Sequence, residues 1–263
     1  MINKQITVIL LLYKTPNKLI KNLKVYKNFD LIILDQSNDF ILKNKLKKLL
    51  PNIKYYKVTK KNVGFAKGIN FLVKKVKTKF FLCTQPDVLI SEKSILDLKS
   101  SFKFKKDCII SIPTFKSKNK KIISPIKQFI GAIFLSETQR FKKLNGFDNN
   151  FFFYWEDIDL SHRINETKFK IYLNSYSKAT HLFGKSTSLN LKTYILKNSN
   201  FKFGEYLFQY KHQKLRKIKM IREPFMIVFK ILFHLILFDK KQLYKNISHL
   251  LGIFMFYLYK LKN

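Results

Sequence analysis

The first third of the chain alternates between continuous apolar runs of strand length and longer segments with apolar residues at helical spacing. This alternation predicts right-handed βαβ units and a mostly parallel sheet with flanking helices. Because the runs are apolar throughout, we expect both faces of the sheet to be buried. The predicted strands are 6–12, 31–35, 53–58 and 79–84, and the predicted helices are 16–28, 40–50 and 64–76.

The pattern becomes less regular after Cys108 and shifts again after position 190. No repeat or linker interrupts the chain before that shift. We therefore predict one α/β domain over 1–190 and a basic, aromatic-rich helical region over 191–263. Further helices are expected at 91–101 and 155–166, and short strands near 108–112, 121–124 and 129–135, around the lysine-rich turn KSKNKK.

Two apolar stretches, 225–238 and 247–259, dominate the C-terminal region. As a helix the first would be roughly 21 Å long, shorter than the ~30 Å core of a bilayer, and Lys230 and His234 interrupt it. Neither stretch predicts a membrane span. Aromatic-rich helices with lysines between them are typical of a peripheral hairpin on anionic lipid. The alternative is a helical pair packed on the rest of the chain or at a homodimer interface.

The charge balance is extreme, with 52 Lys+Arg against 16 Asp+Glu and a net charge of +36. Nucleic acid, an anionic membrane or a polyanionic substrate could each explain it. An AT-rich coding sequence, which favours Lys, Asn, Ile and Phe, is a further explanation. Four of the cations are arginines, and such scarcity argues against a nucleic-acid reader, because base and phosphate contacts favour the guanidinium fork.

The two cysteines, Cys83 and Cys108, lie in or beside apolar runs without CxxC spacing, which predicts a reducing compartment. The N-terminal apolar run lacks a small-residue cleavage site and is interrupted by Tyr13 and Lys14. We interpret it as a first strand rather than a signal peptide. These features predict a cytoplasmic protein at the cytoplasmic face of the inner membrane.

In a chain poor in acids, the positions of the acids are informative. Four of the sixteen, Asp148, Glu156, Asp157 and Asp159, fall within twelve residues, and the last three directly follow the aromatic run FFFYW. Helix N-terminal charge alone could explain them. On a helix, Asp157 and Asp159 would point in different directions, so we expect one to pair locally and one to face a cleft. Burial beside aromatics would raise the pKa of such a carboxylate towards the range of a general base.

Other acids and glycines follow the predicted strands. Asp35 ends the second strand and Asp87 follows the fourth, where a sheet of this class binds ligands and a carboxylate can hold a divalent cation against a diphosphate. A simple Pro-Asp turn is the alternative at Asp87. Gly64 and Gly68 lie where a helix start could approach an anion closely.

Six ordered segments of the chain together resemble one enzyme family. They are LLYKTPNKLIKNL (11–23), LIILDQSND (31–39), NVGFAKGIN (62–70), FFLCTQPDV (80–88), GFDNNFFFYWEDIDLSHRI (146–164) and HLFGKS (181–186). Over roughly residues 6–190 they resemble glycosyltransferase family 2, inverting enzymes with the GT-A (Rossmann-like) fold, and in particular its bacterial rhamnosyltransferase-like branch. The fifth segment is the most specific.

The resemblance implies a role for each matching residue. Asp157 would be the general base, and Asp87, with His181, would hold Mg²⁺ or Mn²⁺ against the donor diphosphate. Arg163 is expected to pair with an acid of its own helix. The expected nucleotide-sugar contacts are Tyr13, Asp35, Asn62, Gly64, Asn70, Gln85 and Asp87, and the residues expected to bind the acceptor or orient the base are Trp155, Glu156 and Asp159.

The resemblance also implies the reaction, an inverting transfer from dTDP-rhamnose or a UDP-sugar to a glycan or polyprenyl-linked acceptor in cell-surface polysaccharide synthesis. Two positions depart from the family pattern. Lys14 replaces an asparagine, which affects contacts to the base or ribose. Gln85 replaces the first metal-motif residue, which leaves Asp87 as the anionic ligand.

Two other functions are compatible with parts of the sequence. A nucleotidyltransferase would share the nucleotide-binding half, but it needs a glycine-containing phosphate loop after the first strand, and LLYKTPN has no glycine. A non-catalytic basic protein that binds membrane or nucleic acid would account for the charge and the aromatics. It would leave the acid cluster unexplained.

Overall fold

The structure, a computed structural model, describes residues 3–116, 121–182, 185–187 and 190–263. The chain divides into two compact units. One comprises residues 1–149 and 157–188, and the other comprises 150–156 and 189–263. Most of the predicted turn KSKNKK, and Phe183 and Gly184 of the HLFGKS segment, lie outside the described residues.

The first unit is a sheet with helices packed on it. Its strands are β1 Asn3–Leu12, β2 Phe29–Asp35, β3 Ile53–Val58, β4 Phe80–Thr84, β5 Val88–Ile90, β6 Cys108–Thr114, β7 Ile123–Ile126, β8 Phe134–Glu137 and β9 Lys170–His181. Its helices are α1 Asn17–Ile20, α2 Phe40–Leu49, α3 Phe65–Val73, α4 Glu92–Phe104, α5 Thr138–Lys143 and α6 Glu156–Asn165, with a 3-10 helix at Lys21–Asn28. The first residue of α6, Glu156, is grouped with the second unit.

The sheet is parallel over its first four strands and mixed beyond them. The strand order is β3-β2-β1-β4-β8-β6-β9-β5, with β7 paired to β9. Strands β1 to β4 pair in parallel, which confirms the expected βαβ units. Strand β8 is antiparallel to both β4 and β6, whereas β9 runs parallel to β6.

The strands are buried because they are apolar at consecutive positions. Val8, Ile33 and Leu82, from three neighbouring strands, have no exposed surface and belong to one hydrophobic cluster. The predicted helix 16–28 differs in type, because it is α-helical only over α1 and continues as the 3-10 helix. Three residues per turn place Ile20, Leu23 and Tyr26, spaced by three, on the same buried side.

The predicted strand 129–135 begins later than expected, at Phe134. The backbone amides before Phe134 form hydrogen bonds outside the sheet. The amide of Phe129 donates to Ser161 Oγ at 3.3 Å, and the amide of Gly131 donates to Asp157 Oδ2 at 2.7 Å. These bonds attach the segment to α6, so its amides do not join a sheet ladder.

The second unit is helical. It contains the segment 150–156 and three long helices, α7 Leu191–Lys211, α8 Lys217–Ile236 and α9 Lys240–Lys262. The two predicted apolar stretches lie largely in α8 and α9, and Asp239 between them caps α9 by accepting the amide of Gln242 at 3.1 Å. Among the described helices, none combines the length and apolarity needed to cross a bilayer.

A close helix crossing and a charge network hold the second unit together. A Cβ atom at Gly252 of α9 would overlap Ser199 O of α7 and lie 2.9 Å from Lys202 Cβ. Lys202 Nζ contacts Glu205 at 2.6 Å and Glu223 at 2.7 Å, which links α7 to α8. Burial alone would lower the pKa of Lys202, but the hydrogen bonds to these two carboxylates raise it and keep the amine charged.

We expect Gly252→Ala to destabilise the second unit by about 1–3 kcal/mol, because the backbone of α7 cannot move aside easily. This loss should outweigh the ~1 kcal/mol gain in helix propensity. Trp155, the single tryptophan, belongs to this unit, so urea unfolding followed by its fluorescence measures the change. The exposed Lys245→Ala on the same helix is the control and should stay within about 0.5 kcal/mol. Equal stability of the two variants would contradict the packing argument.

Candidate functional site

The predicted nucleotide-side residues gather where the parallel strands end. Tyr13 follows β1, Asp35 is the last residue of β2, and Gln85 and Asp87 follow β4. These strands are parallel neighbours, so their carboxyl ends form one edge of the sheet. Ligands of open α/β sheets bind at this edge.

Asp35 is fully buried and organises the turn after β2. Its Oδ1 accepts the amide of Ser37 at 2.8 Å, and its Oδ2 accepts the hydroxyl of Tyr56 at 3.1 Å. Burial and the charge of Asp35 raise the pKa of Tyr56, so the phenol remains a donor. Ser37 Oγ in turn accepts the amide of Lys14 at 2.6 Å. The carboxylate therefore fixes the two loops that follow β1 and β2.

The loop 62–64 is attached to the same turn. The amide of Val63 donates to Gln36 Oε1 at 2.7 Å, and the amide of Gly64 donates to Asn62 Oδ1 at 2.9 Å. Gly64 has a φ of 88°, which favours glycine, and it begins α3 without a side-chain cap. The loop thus presents the start of α3 at the strand-end edge.

Asn70, predicted to contact the nucleotide sugar, holds another loop. Its Nδ2 donates to Phe147 O at 2.7 Å and to Asn149 Oδ1 at 2.9 Å. Its Oδ1 accepts the amide of Phe147 at 3.0 Å. The amide group of Asn70 therefore fixes the GFDN turn (146–149), which contains Asp148 and precedes the aromatic run FFFYW.

Asp87 and His181 meet at the β5–β9 pair, where Val88 is the register partner of His181. Asp87 is fully buried, and its Oδ2 lies 3.6 Å from His181 Nε2. The same oxygen accepts the amides of Lys185 at 3.1 Å and Ser186 at 3.0 Å. Residues far apart in the sequence thus converge on one carboxylate oxygen.

The other oxygen, Asp87 Oδ1, is buried and has no hydrogen-bond partner within the described part of the chain. Burial would raise the pKa of Asp87, but the neighbouring imidazole of His181 and the amide of Ser186 outweigh it and lower the pKa, so the group stays anionic. An anionic oxygen without a donor, beside an imidazole, is a ligand set that Mg²⁺ or Mn²⁺ accepts. These residues fit the divalent cation that the family resemblance implies.

Asp157 lies near the start of α6 and is held by backbone amides. Its Oδ2 accepts the amide of Gly131 at 2.7 Å, and its Oδ1 accepts the amide of Ile158 at 2.9 Å. Burial raises the pKa of Asp157, while these two amides act in the opposite direction. The direction agrees with the sequence-based expectation for this acid.

The strand register brings Asp157 to the same sheet edge as Asp87. Cys83 of β4 pairs with Phe134 of β8 in antiparallel register, so the residues before β8 lie beside the residues after β4. Gly131, which holds Asp157, precedes β8, and Gln85 and Asp87 follow β4. Sequence reasoning missed Gly131, although a glycine inside an apolar run is a known sign of close backbone approach.

Asp159 points away from Asp157, as the helix spacing predicted, and has a different partner. It is fully buried, and its Oδ2 accepts Arg163 Nε at 2.9 Å. Arg163 also donates to the carbonyls of Leu144 and Gly146, both at 2.7 Å. The expected pairing of Arg163 with an acid of its helix is confirmed. Of the two roles expected for Asp159, burial favours orienting the helix over binding an acceptor.

The aromatic run before the acids has its own partners in the second unit. Trp155 packs on Phe201 and Phe208 of α7, with ring centroids 5.8 and 5.5 Å apart. A Cβ atom at Gly204 would lie 2.8 Å from Trp155 Cδ1, so that glycine permits the approach. Tyr154 and Trp155 both have positive φ, at 69° and 72°, which is unfavourable for aromatic residues. Packing on α7 holds this strained turn, and Glu156, immediately after it, is also buried.

A family model described as the N-terminal domain of galactosyltransferase matches residues 112–185. The matched stretch is shorter than half of the chain and includes Gly131, Asp157 and His181. No curated protein matches the sequence.

Solved structures of glycosyltransferases share the fold. A mannosyltransferase from Pyrobaculum calidifontis in complex with GDP-Man and Mn²⁺ superposes with a TM-score of 0.63 at 10% identity, covering 97% of this chain and 88% of that one. S. aureus TarS 1-349 gives 0.57 at 13% identity, covering 98% and 92%. GalNAc-T7 with UDP, GalNAc and Mn²⁺ gives 0.57 at 12% identity and covers 83% of this chain, which spans about half (53%) of GalNAc-T7. The chain has the GT-A fold.

We expect Arg163→Met to destabilise the protein by about 3 kcal/mol, because it leaves the Asp159 carboxylate buried without its cation. The double variant Asp159→Asn/Arg163→Met should recover part of this loss, since it removes the buried charge. Urea unfolding followed by circular dichroism measures both. Arg222→Met removes an exposed arginine and serves as the control. No difference between the Arg163 and Arg222 variants would show that the ion pair is unimportant.

Proposed function

We propose that the protein is an inverting, metal-dependent glycosyltransferase acting in cell-surface polysaccharide synthesis at the cytoplasmic face of the inner membrane. The donor would be a nucleotide-diphosphate sugar, dTDP-rhamnose or a UDP-sugar, and the acceptor a glycan or polyprenyl-linked sugar. We assign the activity to the predicted domain 1–190. The observation that carries the proposal is the buried, anionic Asp87 beside His181 at the ligand edge of a GT-A sheet, with one carboxylate oxygen that has no partner among the described residues.

Asp87 and His181 would hold Mg²⁺ or Mn²⁺. When bound, the cation neutralises charge on the donor diphosphate and stabilises the departing nucleoside diphosphate. The amides of Lys185 and Ser186 fix Asp87 through its Oδ2, which leaves Oδ1 for the cation. Gln85, at the other position of the motif, could contribute a neutral amide oxygen. The GDP-Man and UDP complexes among the similar structures contain Mn²⁺, which supports a cation of this kind.

The loops after β1 and β2 would bind the nucleoside. Tyr13 lies beside the turn that Asp35 fixes, and the carboxylate of Asp35 is already paired with Ser37 and Tyr56. We therefore propose that Asp35 shapes the base pocket rather than pairing with the base through a free oxygen. Asn62 and Gly64 would present the amides at the start of α3 to the donor. Asn70 would act by fixing the neighbouring GFDN turn.

Asp157 would act as the general base. Its carboxylate accepts the proton of the acceptor hydroxyl as that oxygen attacks the anomeric carbon and the bond to the diphosphate breaks. One displacement of this kind inverts the configuration. Burial raises the pKa of Asp157, which makes the carboxylate a better proton acceptor, and the Gly131 amide fixes its direction. Trp155 and Glu156, next to it in the chain, would bind or orient the acceptor.

Calorimetry with dTDP-, UDP- and GDP-sugars, with and without Mn²⁺, tests the proposed donor site. We expect one donor to bind in a Mn²⁺-dependent manner, and Asp87→Asn to weaken this binding at least tenfold. The amide oxygen of Asn can still accept the Lys185 and Ser186 amides, so the loop should remain folded. Asp97→Asn, which removes an acid paired with Lys93 at the surface, is the matched control. Donor binding with the same affinity with and without Mn²⁺, and in the intact protein and Asp87→Asn, would contradict the proposal.

For Asp157 we expect a loss of turnover without a loss of donor affinity. Asp157→Asn keeps an acceptor for the Gly131 amide but removes the base, and transfer should fall by about 10³-fold. Release of nucleoside diphosphate, with a membrane lipid extract as acceptor, measures the rate. Because the base must be deprotonated and its pKa is raised, kcat/KM of the intact protein should fall with decreasing pH at a pKa above the usual range of aspartate. An active Asp157→Asn variant would refute the assignment.

A further inference from the structure

One side of α8 exposes a regular row of large apolar side chains. Six residues spaced by three or four positions lie on this side and are between 52% and 74% exposed. This spacing places them on a single helix face. We call this row the α8 face; it consists of Ile218, Ile221, Phe225, Phe229, Leu232 and Ile236.

In the described part of the second unit, more than half of the surface of each of these side chains stays exposed, so the α8 face is not part of the interior. The inward side of α8 provides Ile227, which is buried, and Glu223, which contacts Lys202 and receives a hydrogen bond from Tyr206 at 2.8 Å. The α8 face is thus continuous apolar surface left in water. Soluble monomers seldom expose large contiguous apolar patches, and those that do commonly bind there.

Exposed cations accompany the α8 face. Lys217, Arg222 and Lys230 on α8, and Lys240 and Lys241 at the start of α9, are all exposed. The single acid of α8, Glu223, forms ion pairs with Lys202 and Lys219. An apolar row bordered by cations is the pattern of a helix that lies in the plane of an anionic membrane surface.

Charge also argues against a second copy of this chain as the occupant. Each copy carries a net charge of +36, and apposing two α8 faces would bring their bordering lysines together. An anionic bilayer offers both hydrocarbon for the apolar row and negative charge for the cations. From the first to the last residue the row is about 27 Å long, and the helix is not apolar enough to span, so it would lie flat.

We propose that the α8 face is a membrane-docking surface that inserts into the interfacial region of an anionic lipid bilayer. The α8 face overlaps the predicted contact over 225–259 and extends it towards the N-terminus to Ile218. In α9, Gly252, Ile253 and Phe256 are buried and Gly252 packs on α7, so that side of α9 belongs to the interior of the unit. Docking requires no turnover, so its failure is distinguishable from failure of the proposed glycosyl transfer.

Vesicle co-sedimentation of the full-length protein tests the proposal. The vesicles would be pure phosphatidylcholine, or phosphatidylcholine with 30% phosphatidylglycerol, the latter at low and high NaCl. We expect binding to the anionic vesicles that weakens at least tenfold in high salt and at least tenfold in Phe225→Ser/Phe229→Ser. Both phenylalanines are highly exposed, so their removal should leave the fold intact. The matched control is Ile41→Ser/Phe104→Ser, which removes two exposed apolar residues of the first unit and should bind as the intact protein does.

Three outcomes would overturn the proposal. The first is failure of the intact protein to bind the anionic vesicles, and the second is binding of the α8 double variant as strong as that of the control. The third is a dimer, seen by analytical ultracentrifugation without lipid, that Phe225→Ser/Phe229→Ser dissociates while vesicle binding is absent. That result would assign the α8 face to a second copy of the chain.

Discussion

Burial of carboxylates at one edge of the sheet is the constraint on which the first unit depends. A carboxylate loses much solvation free energy on leaving water, and this loss is tolerated only where hydrogen bonds or cations replace the water. Here backbone amides do so at the buried Asp35 and Asp87 and at the half-buried Asp157, and Arg163 does so for the buried Asp159. Each bond also positions a loop, because the amide donors belong to the segments that surround the site.

The four carboxylates differ in what remains available to a ligand. Both oxygens of Asp35 are paired within the fold, and Asp159 is held by a cation. Asp87 retains an oxygen without a donor in the described part of the chain, and Asp157 has its pKa raised by burial. The first two are therefore suited to maintaining structure, whereas the latter two are suited to a cation and to proton transfer. This division between structural and reactive carboxylates supports the proposed mechanism, which requires no movement of the backbone.

The second unit is held together in a different way, by a charge network and a close helix crossing. A network of two lysines and two glutamates, partly exposed except for the buried Lys202, joins α7 to α8, and the small Gly252 permits α7 and α9 to approach closely. The glutamates of this network form ion pairs with lysines of the same unit. The outward surface of α8 therefore carries cations and apolar side chains. In this unit, exposed lysines and Arg222 accompany an apolar row.

The sequence by itself determined the strands and helices of the first third of the chain and the helical character of its C-terminal region, because apolar periodicity is local and each segment carries its own signal. It did not predict β5, β9 or α5. It also located the acids at strand ends and the paired Arg163. Only the tertiary structure decided that β8 begins at Phe134, that Gly131 holds Asp157, and that Asn70 fixes a loop. It also decided that residues 150–156 join the second unit. These features depend on hydrogen-bond partners distant in the chain, which compete with local preference and leave little trace in the pattern around each residue.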